Sequence, residues 1–523
     1  MTPGAVRLGP DRIATSTGQR RHPVVGMRSL FGDPRSSRGA GHAGVAVGRL
    51  SLVGAWRRAV GLSRRVSAGV WVALAVALIL RLTTVALTFD TPTTFDPADW
   101  SRTAASIADG HGYPASNRAP GRGPSAFRPP AYPVFLAAVY AVAGHPAPSI
   151  GRLAGAFLGT LAVALTGLIA LRLWGKRVGI LALSIAAVAP PLVILSTALI
   201  SEALFVPVVL GAVASALEAR RSERRYRWAI VTGVLVGVAG LTRTNGLILL
   251  LPLSLAFAPM RSRRRPRAWA APAVLIVAAC VTVAPWTARN WLVFHSFIPV
   301  SDEIGYTLAG TYNQVSRADR QMPAVWIEAE HGASPEYARI LRRASAEHWN
   351  EVVYGNHLQA AAIADIKRDP AYLLKVAYWN TIRMLNIAEV RFAVGNLRDT
   401  DIPLAPALIE VNSAPLLLVL ALGGLLTRPA RRAPKWLWLV PVCLATSVFV
   451  TGFIRFRAAL DPFLVMLAAL TIADGLAQLS ALGSRRRHPR GRQLEAGGPS
   501  ACIIAPAVAK PRRQRRGLCS LLA

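Results

Sequence analysis

Acidic residues are scarce in this chain: 26 Asp and Glu stand against 60 Lys and Arg in 523 residues, and charged residues of both signs reach only 16%. Soluble domains carry about 25%, which excludes an ordinary cytosolic enzyme. Cysteine is scarcer still, with four residues. Cys280 and Cys443 fall in apolar runs and Cys502 and Cys519 in the C-terminal tail, so the polar segments between the runs hold no disulfide, and no spacing suits zinc. There is no Gly-rich loop ending in Lys-Ser or Lys-Thr, no strand leading into GxGxxG, and no helix with paired His. ATP-driven pumping, dinucleotide chemistry and a helical metal site therefore have no support. Hydrophobic residues, at 53%, are what the chain has in plenty, and the mean hydropathy of +0.39 excludes a wholly disordered chain.

Runs close to the roughly 20 apolar residues needed to cross a bilayer recur along the sequence. They predict crossings over 66–88, 153–174, 178–195, 198–217, 268–287, 405–427, 436–454 and 459–480. The run 228–258 is too long for one crossing and is interrupted by Thr242-Arg243-Thr244-Asn245, so it reads as two short helices. The expected fold class is all-α, a polytopic membrane protein of about ten helices with two larger outer-face loops, 89–152 and 288–404.

The surplus of positive charge tests that layout. Arg57 to Arg65, Lys176 with Arg177, Arg220 to Arg227, Arg261 to Arg267, Arg428 to Lys435 and the run from Arg485 all fall on one face if the count is ten. Basic loops mark the cytoplasmic side, so both termini are expected there, in a cell membrane. The net charge of +34 then reports topology and contact with anionic lipids, and no nucleic acid is expected. Residues 1–65 and 481–523 read as basic, disordered cytoplasmic tails around a membrane domain over 66–480. Arg20-Arg21 is followed by no close apolar run, so the first span is expected to insert the chain in place of a cleaved signal.

The first outer loop begins directly after the first span and contains Phe95-Asp96-Pro97-Ala98-Asp99-Trp100. A spacing of three places Asp96 and Asp99 on one face of a helix started by Pro97. By spacing alone the simpler role for Asp96 is to cap that helix; the alternative is a base at the membrane surface. The segment beginning Arg128-Pro129-Pro130-Ala131-Tyr132-Pro133 is too short to span and is expected along the interface, with Tyr132 and Tyr140 near headgroups. Ionisable residues inside spans are costly and functional candidates by default: Arg81, Arg172, Glu202, Arg243 and Asp461. Snorkelling suits Arg172 and also accounts for Arg81. Glu202 either serves a pocket or pairs with an Arg. Arg243, Arg289 beside Asn290, Arg455 and Arg457 stand at predicted outer ends, where guanidinium forks could bind phosphate.

Four passages, with RFRAALDPFL from Arg455, resemble the GT-C superfamily of membrane glycosyltransferases, which includes protein O-mannosyltransferases and aminoarabinose transferases. They are Asp96 with Trp100 and the stretch through RPPAYP, then Ser201-Glu202-Ala203-Leu204-Phe205, then Gly240-Leu241-Thr242-Arg243, and finally APWTARNWLVFHSFIPVSDEIGYTL from Ala284. The resemblance implies transfer of a sugar, with inversion, from a polyprenyl-phosphate-linked donor to a glycan, lipid or protein acceptor at the outer face. It assigns the acid of the first outer loop as general base, which matches Asp96, with Asp99 as understudy. Glu202, Arg243, Arg289, Asn290, Arg455, Arg457 and Tyr132 are the substrate-binding candidates. The scheme needs no cofactor, although Asp96 and Asp99 together could hold a divalent metal. The rival readings are a lipid or solute transporter, which would ordinarily show internal repeats, and a non-catalytic relative in which Asp96 is only a cap.

Overall fold

A computed structural model describes residues 64–258, 269–328, 334–387 and 389–487. Most of the two tails and the Arg261 to Arg267 cluster lie outside the described residues, as do Cys502 and Cys519. All described residues fall in the compact unit that begins at Ser63. They form helices joined by turns, and no strand occurs among them.

Among the described residues, six helices are long and apolar enough to cross a membrane: Ala68–Leu87, Pro148–Trp174, Glu202–Ala219, Ala270–Phe294, Leu404–Leu426 and Asp461–Ser480. The run expected as a single crossing over 178–195 is instead a bent pair, Lys176–Val188 and Pro190–Thr197, with a 54° angle between its halves. Pro190 and Pro191 cause the break, because a residue before proline is pushed out of the helical region, and Ala189 has ψ 116°. The remaining expected crossings are Arg225–Thr242, which opens on Arg225 and Arg227, and the shorter Thr244–Phe257 and Lys435–Phe449.

Apolar side chains alone give little driving force for helix association in lipid, so close backbone approach supplies it. A Cβ on Gly233 would sit 2.2 Å from the Leu275 carbonyl oxygen, and one on Gly237 would meet Thr282 at 2.6 Å. Helices Arg225–Thr242 and Ala270–Phe294 can pack this tightly only because those positions are glycine.

Arg81 does not snorkel. It is fully buried and donates to the carbonyls of Ala77 and Leu192 at 2.9 Å and to Ser196 Oγ at 3.0 Å. Leu192 lies just past the proline break, so the guanidinium satisfies acceptors gathered at the bend. Arg172 pairs with Glu218 at 3.3 Å.

Between the membrane helices, residues 95–143 and 304–398 contribute further helices. Phe95–Ala108 packs on Ala131–Ala143, burying Trp100, Tyr132, Leu136 and Tyr140 together. Tyr132 and Tyr140 are each 1% exposed. They are core residues and not headgroup anchors, because the helix turns its aromatic face inward. The larger segment contains Ile304–Thr311, Pro335–Ala346, Glu351–Arg368 and Tyr372–Met384, with Tyr306, Tyr337, Tyr354 and Leu358 forming a core that also takes in Phe127.

Candidate active site

Helix Phe95–Ala108 starts after an extended Thr94, which is held by Asp401: the Thr94 amide donates to Asp401 Oδ1 at 2.9 Å and its hydroxyl at 2.8 Å. Phe95 adopts a left-handed φ of 42°, a strained conformation for a side chain of this size. Asp96 therefore lies in the first turn and does not cap the helix. Its carboxylate is ion-paired to Arg128 through one oxygen and to Arg455 through the other. Asp99, one turn on, takes the Arg128 Nε at 2.7 Å and Arg102 at 2.8 Å. The spacing of three thus brings both acids to one guanidinium.

Arg128 comes from the short segment 125–130, which hydrogen bonds from several neighbours hold in place. Ser301 Oγ donates to the Phe127 carbonyl at 2.8 Å and Tyr113 Oη to the Arg128 carbonyl at 2.7 Å. Buried Glu351 accepts from the Ala126 amide and, at 3.0 Å, from Ser125 Oγ. The Arg128 guanidinium lies over the Trp100 ring, 4.7 Å from its centroid, and 3.9 Å from Glu303.

Opposite, Arg243 leaves the end of helix Arg225–Thr242. It pairs with Glu202, donates to Ser201 Oγ at 3.2 Å, and lies 4.2 Å above the Phe456 ring. Arg455, on the short 3-10 helix Ile454–Ala459, connects the two sides: besides Asp96 it lies 3.9 Å from Glu202. Asp96, Trp100, Arg128, Arg243, Glu303 and Arg455 line one cavity of about 290 Å³. Its size suits a few sugar-sized groups, and its walls join aromatic surface to convergent charge.

Burial opposes ionisation of Asp96, but Arg128 and Arg455 outweigh it and hold the carboxyl far below the usual carboxylate range. Asp99 is lowered in the same way, burial being overcome by Arg128 first and then by Arg102 and Arg118. Behind the Arg128 segment the balance reverses. Asp302 is pushed up to about 8 by burial and by neighbouring Glu351, and neither of its carboxyl oxygens has a hydrogen-bond partner. Glu351 is raised too, by burial.

The remaining sequence candidates lie away from the cavity. Arg289 donates to the Ser125 carbonyl at 2.8 Å and to Asn290 Oδ1 at 3.1 Å, while Asn290 donates to the Ile298 carbonyl at 3.1 Å. Asn290 fastens the loop that follows the helix and Arg289 the 125–130 segment; the helix continues to Phe294 and carries both past the expected membrane end. Arg457 is buried between Glu410 and Asp461, the latter at 2.9 Å. Tyr132 meets Trp100 edge-on, 5.4 Å between centroids, and backs the cavity wall without lining it. Four arginines at one depth were expected; two of them, Arg243 and Arg455, meet here, and Arg128 completes the set. The sequence marks Arg128 only as the head of RPPAYP and gives no signal for Glu303. Asp96 and Asp99, named for a possible cation, face guanidinium groups, and no cluster of three or more His, Cys, Asp or Glu able to hold a metal occurs among the described residues.

No curated protein matches the chain in sequence. Among solved structures, it is similar to the archaeal oligosaccharyltransferase AglB from Archaeoglobus fulgidus, in complex with an inhibitory peptide and a dolichol-phosphate. The identity is 12% and the TM-score 0.48, with 84% of this chain and 53% of that one covered. The chain therefore spans about half the length of that protein. ArnT from Cupriavidus metallidurans, bound to undecaprenyl phosphate, is similar at 16% identity and a TM-score of 0.36, with 81% of each chain covered. Residues 127–287, from the foot of Arg128 through Glu202 and Arg243, match the family described as dolichyl-phosphate-mannose-protein mannosyltransferase. The matched stretch is under a third of the chain.

Proposed function

We propose that this multi-pass membrane protein transfers a sugar from a polyprenyl-phosphate-linked donor to an acceptor hydroxyl at the outer face of the cytoplasmic membrane. The observation that carries the reading is the meeting of Asp96 with Arg128, Arg243 and Arg455 around one cavity, within reach of a segment that matches a lipid-phosphate-sugar transferase family.

The acceptor oxygen attacks the anomeric carbon as the carbon–oxygen bond to phosphate breaks, which inverts that centre. A hydroxyl is a weak nucleophile at neutral pH, so Asp96 takes its proton as the new bond forms. The electron pair of the broken bond leaves on the polyprenyl phosphate, where Arg128, Arg243 and Arg455 stabilise the added charge. Trp100, buried beneath the Arg128 guanidinium, supports that side chain at the cavity wall. Asp99 keeps Arg128 aimed at Asp96, and Glu202 does the same for Arg243.

The test is sugar transfer in membranes supplied with radiolabelled polyprenyl-phosphate sugars, one at a time, comparing wild type with Asp96→Asn at equal protein level. Removing a general base typically costs about 10²–10⁴-fold in rate. Full activity of Asp96→Asn would remove Asp96 as the base, and absence of transfer from every donor by the wild type would remove the reading.

A further inference from the structure

Each guanidinium at the cavity is already paired with acid. Arg128, Arg243 and Arg455 bring three positive charges, and four acids, Asp96, Asp99, Glu202 and Glu303, each lie within ion-pair distance of at least one of those guanidinium groups. Arg128 and Glu202 are buried, and Asp96 and Arg455 are largely shielded. A phosphate arriving as a further anion would leave a net negative charge in a poorly hydrated site, an arrangement strongly disfavoured unless a partner is exchanged. Arg455 can make that exchange: its Nε is buried and without a hydrogen-bond partner, so this guanidinium still has a donor to offer.

We infer that Asp96 is an internal competitor for the donor phosphate, occupying the guanidinium groups of Arg128 and Arg455 until the phosphate displaces it. The same displacement turns Asp96 from a clamped counter-ion into a base able to accept a proton, so the base becomes available only when the donor is seated. A guanidinium has a fixed set of N–H donors, and those that hold a carboxylate edge-on are the ones that match a phosphate edge. Glu202 stands in the same relation to Arg243 on the opposite wall. The inference relies on the transferase reading for the identity of the anion, but its test requires no catalysis.

The test measures binding of a short-chain polyprenyl monophosphate without sugar, and of the matching polyprenol, to detergent-solubilised full-length protein. The comparison is between wild type, Asp96→Asn and Glu202→Gln. If carboxylate and phosphate compete, Asp96→Asn binds the monophosphate about tenfold tighter or more, a gain of about 1.4 kcal/mol, while polyprenol binding is unchanged. Glu202→Gln gives a smaller gain in the same direction and serves as the readout if Asp96→Asn does not yield folded protein. Unchanged or weaker monophosphate binding in the folded variants overturns the inference. So does an equal gain for the polyprenol, which would indicate a reshaped cavity and not freed cations. Tighter binding without transfer by the wild type would remove the activity reading alone; transfer without tighter binding would remove the competition alone.

Discussion

Replacing Arg128 by Gln tests the electrostatics of the site most directly, because Arg128 touches Asp96, Asp99 and Glu303 at once. A unit charge pair about 4 Å apart is worth about 4 kcal/mol at an effective dielectric constant of 20. Removing one preorganised donor from a developing anion costs about 10²–10³ in kcat. The expected loss in kcat/KM for Arg128→Gln at neutral pH is therefore about 10²–10³-fold. The pH profile carries the sharper signature. In the wild type, Asp96 stays ionised down to strongly acidic pH because Arg128 and Arg455 outweigh its burial. Without Arg128 the burial penalty meets only Arg455, so the carboxyl is protonated at higher pH, and activity is lost as pH falls through the raised value. The acid limb of kcat/KM should move up into the working range. Arg128→Lys keeps the charge but not the fork that reaches both acids, so it should recover part of the limb position and less of the rate. Activity of Arg128→Gln within about twofold of wild type, with an unmoved acid limb, would refute the reasoning.

Two further expectations separate structure from chemistry. Arg457→Gln leaves Glu410 and Asp461 buried and uncompensated, a loss of about 3–5 kcal/mol. It should lower the yield and Tm of solubilised protein while the surviving folded fraction keeps its donor KM; a raised KM at unchanged Tm would return Arg457 to the substrate site. Asp302, with its carboxyl raised to about 8, favours the fold in its protonated form. That contribution is full below the unfolded value near 4 and is lost as pH rises through about 8. Asp302→Asn should accordingly raise Tm relative to wild type at pH 8 more than at pH 5. A gap that widens toward low pH would contradict the burial of an unpaired carboxyl.

What the sequence shows plainly is whatever depends on neighbours along the chain. Apolar run length marks the membrane helices, and Thr242-Arg243-Thr244-Asn245 marks the break that frees Arg243. The spacing of Asp96 and Asp99 predicts their shared face, and the structure adds that the partner on that face is Arg128. Pairing across the fold is less legible. Arg289 and Arg457 look no different from Arg243 and Arg455 in composition or position, and only the tertiary partners separate them: the Ser125 carbonyl for one, Glu410 and Asp461 for the other. Arg128 sits in an irregular segment with no periodicity to read, and contacts from Ser301 and Glu351, more than 170 residues away, place it. The bend at Ala189 could have been found, since Pro190-Pro191 stands in the middle of the predicted crossing.

The chain contains two arrangements of arginine and acid that are nearly the same chemistry. In one, Arg457 is sealed between Glu410 and Asp461, with all three side chains within 2% of full burial. In the other, Arg455, two residues earlier on the same short helix, joins Asp96 to Glu202 beside a cavity of about 290 Å³. A sealed triad cannot exchange partners without exposing a charge to hydrocarbon, so it can only hold the helices Leu404–Leu426 and Asp461–Arg487 together. An open one can pass a guanidinium from carboxylate to phosphate, because the incoming anion supplies the compensation the protein would otherwise lose. Access, and not the identity of the residues, is therefore what separates a structural ion pair from a reactive one in this fold. A bulky side chain that closed the cavity at Thr307, which lines it, would be expected to silence transfer while leaving every ion pair described above in place.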